Sequence, residues 1–264
     1  MQLRLIILIA LSLAIAFAVF IFLDPIAQDT AYHQFADQRY LHGITNFHNT
    51  ISNLAFLMTG CFGLLALGSL PMGIARGRAP WFNAATWFFL SVMLMGLGSA
   101  YYHLSPDNEH MLWDRIPITL TIMSLLSAFI ADRFDHFGPA NFHLPVLLLI
   151  GIASVLYWAF SEASGQGDLR AYALVQFLPI LIMAYLCLGY SPGTWLSRRK
   201  LGLMILLYAF AKICENEDQL IFLLSSGFIS GHSLKHYLGA LATLVPCIHL
   251  LQLRNSPSRY LVHV

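Results

Sequence analysis

Eight apolar stretches, each near the length of one bilayer crossing, constrain this chain more than any other feature. A helix of about 20 residues spans the roughly 30 Å of hydrocarbon. The stretches are Leu3–Leu23, Thr50–Leu70, Asn83–Leu104, Leu112–Ala131, Leu144–Phe160, Ala171–Leu188, Leu201–Glu215 and Gly231–Leu251. The seventh is the weakest, because it is short and Lys212, Glu215 and Asp218 interrupt it. Only 10% of residues are charged and 58% are hydrophobic. A soluble domain carries about 25% charged residues, so this chain lacks the polar groups to cover a water-facing surface. The fold class expected is all-α, a polytopic membrane helix bundle. No connection is long enough for a soluble domain between spans. The net charge of +1 gives no sign of a nucleic-acid partner.

The first stretch has a signal-peptide alternative, since Arg4 precedes an apolar core. That core exceeds the usual 7–15 residues, and no small-x-small cleavage site precedes Asp24. An uncleaved helix is the better reading. Cys61, Cys187, Cys214 and Cys247 all sit inside apolar runs without short pairing, so they read as inert buried thiols.

Loop charges orient the bundle, because Lys and Arg favour the cytoplasmic side. With eight spans, Arg4, Arg76, Arg78, Arg133, Arg198, Arg199, Lys200, Arg254 and Arg259 all fall on one side. Arg39 and Arg170 fall on the other, with most of the acids. Both termini are therefore expected in the cytoplasm. The pattern fits a bacterial inner membrane.

On that orientation, His103 ends the third span and Asp114 opens the fourth, both near the outer face. His232 and His236 open the eighth span at the same level, one helical turn apart on one face. Ser99 and His103 repeat that spacing. One histidine alone would read as a polar residue joining helices. Three, with Ser99 and Asp114 at one depth, point to a metal site, since ionisable groups in membrane helices are costly and usually functional. Three imidazoles with an open fourth position are the catalytic zinc pattern. Two roles are open to Asp114: general base toward the activated water, or partner that orients a ligand imidazole. Ser99 could hold that water or stabilise an oxyanion.

These residues lie in three blocks: N-F-H-N-T-I-S-N-L at Asn46–Leu54, Gly98-Ser99 with His103 and Asp114, and H-x-x-x-H at His232 and His236. In that order they resemble the alkaline ceramidases, part of a superfamily of seven-helix membrane proteins that includes adiponectin-type receptors and lipid-remodelling GPI enzymes. The resemblance covers roughly residues 37 to 252. It implies zinc held by His103, His232 and His236, with Ser99 and Asp114 beside the zinc-bound water. It also implies a seven-helix domain over 31–264; residues 1–30, an expected transmembrane helix and the start of an outer loop, are extra to that core.

Two departures bear on function. The family's calcium-binding acidic segment corresponds here to F-A-D-Q-R-Y-L-H-G-I-T-N, where Asp37 is the only acid and Arg39 and Asn46 stand where carboxylates are expected. That speaks against calcium. Asp-Glu-Leu-Pro-Met becomes Asp114-Arg115-Ile116-Pro117-Ile118. Arg115 is expected to pair with Asp107 or Glu109, the alternative being attraction of an anionic substrate group. Asn49, Ser52 and Asn53 share a helix face and are expected to pack inside the bundle, the alternative being contact with the site. Lys212, Glu215 and Asp218 are expected to satisfy one another, with Lys235 reaching toward Glu215 or Asp218. His42, His48 and His110 are reserve ligands.

The function expected is a zinc-dependent membrane amidohydrolase that cleaves a ceramide-like lipid to a sphingoid base and a fatty acid, its substrate entering from the bilayer. A same-mechanism hydrolase of another lipid amide or ester is the first alternative. A receptor with structural zinc is the second.

Overall fold

Backbone polar groups inside hydrocarbon must be satisfied within their own segment, which restricts an apolar chain like this one to helices. The computed structural model describes residues 2–71, 79–134, 142–190 and 193–255. Arg76, Arg78 and Arg259 lie outside the described residues. Within them the long helices are α1 (Gln2–Phe22), α3 (Leu54–Gly68), α4 (Phe82–Leu104), α5 (Asn108–Arg133), α6 (His143–Ala163), α7 (Arg170–Gly189), α8 (Arg198–Asn216) and α10 (Gly231–Asn255). Two short helices join them, α2 (Phe47–Ile51) before α3 and α9 (Asp218–Leu224) before α10. The described residues contain no strand, only an isolated bridge between Leu41 and Ile44.

Six segments are long and apolar enough to cross a membrane: 47–68 (α2 with α3), α4, α5, α6, α7 and α10. The expected all-α membrane bundle is what forms. The second span is broken where α2 meets α3, because Ser52 and Asn53 turn their side chains onto the Asn49 carbonyl at 3.0 and 2.8 Å. Such local bonds compete with the helical ladder. Helices α1 and α8 fall outside the six: α1 is apolar over the shorter run Ile6–Phe22, and α8 carries the charges that weaken its sequence.

α5 is the axis of the bundle, with 78% of its apolar window buried. It packs on α4, α6 and α7, while α10 packs on α3 and α8. Gly98 allows the close crossing of α4 and α5. A Cβ there would lie 2.0 Å from the Trp113 carbonyl oxygen. This crossing sets Ser99 beside Asp114. Gly98→Ala is therefore expected to destabilise the fold by about 1–3 kcal/mol, the usual cost of overpacking. Thermal unfolding of purified protein in detergent would register it as a lowered midpoint.

At the end of the bundle away from His103, Asp132 pairs with Arg133 and accepts the Trp195 N–H at 2.8 Å. Arg133 also donates to the Leu196 carbonyl at 3.0 Å. α1 lies at the edge against α7. Its last carbonyls have no helical partner, and Arg170 supplies one by donating to Leu23 O at 2.5 Å and Phe20 O at 3.3 Å. The same guanidinium holds the Asp168 carboxyl down to about 2.

Candidate metal centre

The C-terminus of α4 and the N-terminus of α10 meet at one level. His103, His232 and His236 each offer a ring nitrogen, and these lie within 4.8 Å of one another. All three side chains are buried. The His103 and His236 Nε2 atoms are 3.3 Å apart. His232 Nε2 is fully buried and has no hydrogen-bond partner. Leaving such an atom unpaired costs the full desolvation penalty, which a metal ion at the centre of the triad would remove. Three neutral imidazoles suit a divalent transition ion. Among the described residues these are the only three that converge in this way. His42 and His48 are not in the group, and His110 is taken by Asp107 at 2.7 Å.

The triad is held by residues that helical spacing did not single out for that role. Ser52 Oγ lies 2.7 Å from His236 Nδ1 and 3.0 Å from the Asn49 carbonyl. The hydroxyl proton satisfies that carbonyl, so His236 Nδ1–H donates to Ser52 and its Nε2 lone pair faces the centre. Orienting a ligand imidazole through its other nitrogen is a recurring feature of metal sites. Ser52 thus touches the site, the alternative to the interior packing expected of it. Asn49 does pack inside, its Oδ1 accepting from the Ser230 and Ser233 hydroxyls at 3.1 and 2.8 Å.

Asp218 does not join the expected charge network. Its carboxylate caps α10 by accepting the His232 N–H at 2.7 Å and pins the preceding outer loop through the Ala36 N–H at 2.8 Å. Phe35, from that loop, covers the rings of His103 and His232 at centroid distances of 4.7 and 4.6 Å. Thr45 and Asn46 donate to the end carbonyls of α4, Leu104 O and His103 O, at 2.6 and 2.8 Å. No sequence pattern marks these loop residues, because their partners are distant in the chain. Lys212 and Lys235 both pair with Glu215, the latter at 2.9 Å, and Tyr32 donates to it at 2.5 Å. Asp37 pairs with Arg39; burial would raise its carboxyl, but the Arg39 hydrogen bonds hold it below the usual range.

Asp114 and Ser99 line one cavity with His236, the Ser99 hydroxyl beside the Asp114 carboxylate. The cavity has a volume of about 540 Å³. Its walls beyond the polar end are apolar and run between α7 and α8, through Phe177, Ile180 and Met183 on one side and Leu201, Met204 and Ile205 on the other. Gln176 Nε2 donates across it to the Tyr208 hydroxyl at 2.7 Å.

Arg115 also lines this cavity. The expected pairing with Asp107 or Glu109 is absent. The side chain turns instead onto Trp158 and Tyr172, with its guanidinium carbon 3.9 and 4.6 Å from the ring centroids. One residue past Asp114 on the helix, it points inward, whereas Asp107 is spent on capping α5.

The family model described as Ceramidase matches residues 27–256, most of the chain. The protein belongs to the ceramidase family. Comparison with curated proteins gave no match. Membership places this ceramidase-family chain among amidohydrolases that act on ceramide lipids, and its apolar helices embed it in a membrane.

Proposed function

We propose that His103, His232 and His236 hold a zinc ion, and that this ceramidase-family protein hydrolyses there the amide of a ceramide-like lipid to a sphingoid base and a fatty acid. The buried triad with its unpartnered His232 Nε2 carries the reading. Bound zinc supplies a Lewis acid for the amide carbonyl and brings the pKa of water toward 7. Three protein ligands beside a cavity suit catalytic zinc, whereas structural zinc closes all four positions.

Asp114 is the general base. Among the described residues it makes no hydrogen bond to any of the three imidazoles, so the role of ring orienter falls to Ser52 at His236. The Ser99 hydroxyl beside it holds the carboxylate in place. Asp114 takes a proton from the attacking water as oxygen adds to the carbonyl carbon. The same proton passes to the nitrogen as the C–N bond breaks, which releases the amine of the sphingoid base. The apolar part of the cavity accommodates acyl chain, and its polar end receives the amide.

The site is proposed to lie near the outer face, with both termini cytoplasmic. Arg133, Arg198, Arg199, Lys200 and Arg254, all at the ends of helices away from the triad, support that orientation. The deciding test is hydrolysis of ceramides by purified protein with and without a chelator. Fatty acid release that stops on chelation and returns with zinc is expected. Turnover unchanged in protein shown to be metal-free would overturn the reading.

A further inference from the structure

The cavity has a second polar feature that amide hydrolysis leaves unused. Arg115 is buried beside Asp114, yet among the described residues no carboxylate pairs with it. Three other arginines each pair with an acid one or two positions before them: Arg39 with Asp37, Arg133 with Asp132 and Arg170 with Asp168. Arg115 has two aromatic rings and one amide. It stacks on Trp158 and Tyr172 and donates through Nη2 to Gln28 Oε1. Its Nη1 is buried with no partner.

The neighbouring carboxylates are committed elsewhere. Glu162 Oε1 accepts from the Gln28 N–H at 2.6 Å and from Trp158 Nε1 at 3.2 Å. It therefore fixes the two residues that flank Arg115. Asp29, which also lines the cavity, turns its carboxylate to the Ala31 N–H at 2.8 Å. Glu215 is held by Lys212 and Lys235.

A buried guanidinium is expensive unless its donors are met. Aromatic faces offset part of the charge, but they do not accept the in-plane N–H bonds. A planar guanidinium braced by stacking, its Nη1 without a partner and its Nη2 bonded to a single amide oxygen, is the arrangement that binds an oxyanion. The cavity that would hold the scissile lipid is the one this guanidinium lines.

We propose that Arg115, braced by Gln28, Trp158 and Tyr172, is a headgroup-recognition residue, and that the preferred substrate is an N-acyl lipid bearing a phosphate-type oxyanion near its amide. This deepens the hydrolase reading and rests on it for turnover, but binding of the headgroup stands apart from that reading.

Two measurements separate the claims. The first is kcat/KM for ceramide 1-phosphate and for uncharged ceramide of the same chain length, with wild type and Arg115→Gln. Wild type is expected to favour the phosphorylated lipid, and the variant to lower the ratio of the two values by about tenfold or more, the worth of a charge-assisted hydrogen bond. A partly misfolded variant loses both rates together and leaves the ratio unmoved, so the ratio reads recognition. The second is equilibrium binding of both lipids to the same proteins in nanodiscs, with inorganic phosphate as competitor. Tighter binding of the phosphorylated lipid that Arg115→Gln removes supports the proposal even if neither lipid turns over, an outcome that counts against the hydrolase reading alone. Equal binding of the two lipids by wild type, or a preference that survives Arg115→Gln, overturns it. Inorganic phosphate binding as tightly as the lipid would make this a free-anion site and overturn the headgroup assignment.

Discussion

Replacing His236 by alanine is expected to remove both the bound metal and the hydrolase activity. Zinc contributes several kcal/mol of charge stabilisation in sites of this kind, equivalent to about a thousandfold or more in rate. The substitution deletes one of only three nitrogens and leaves Ser52 without the ring it orients. The other two ligands, His103 and His232, come from separate helices, so two imidazoles remain to hold an ion that needs at least three. Zinc content per chain, measured alongside ceramide turnover, is the check. One zinc per chain with full turnover in His236→Ala would remove the triad from the mechanism. The helix itself should survive, because α10 is anchored independently by Asp218 at His232 N–H and by its packing on α3 and α8.

Asp114→Asn should behave differently. Zinc content is expected to remain at the wild-type level, because Asp114 bonds to none of the three rings. The hydrolysis rate should nonetheless fall by about 10²–10⁴, the range for loss of a positioned general base. Asparagine keeps the shape and can still accept from Ser99, so the loss isolates proton transfer. If the zinc were lost with the activity, Asp114 would be holding the ligands rather than the water. A variant as active as wild type would dismiss Asp114 from the chemistry. The two substitutions together separate holding the metal from using it.

The three histidines that converge in the structure could be singled out in the chain because their spacing is local. His232 and His236 share a face wherever a helix forms. An apolar stretch of bilayer length fixes the helix and puts a histidine that follows or precedes it at the helix end. The family's motifs could be read for the same reason, as short blocks at helix ends. Arg115 was not legible. Its neighbours in sequence offered two acids, and the rotation of α5 alone turned it toward Trp158 and Tyr172. Ser52 was placed inside the bundle, but its bond to His236 spans 184 positions of chain and no periodicity reports it.

The sequence by itself determined the helical membrane bundle, the placement of the histidines at helix ends and their pairing by turn, since hydrocarbon thickness and helical pitch are enough to specify them. The tertiary structure alone decided which face α5 shows to the cavity, how Asp218 and Phe35 close over the triad, and which partner Arg115 lacks. Those outcomes depend on how close helices approach, as at Gly98, and on bonds between segments far apart in the chain, which local spacing does not encode.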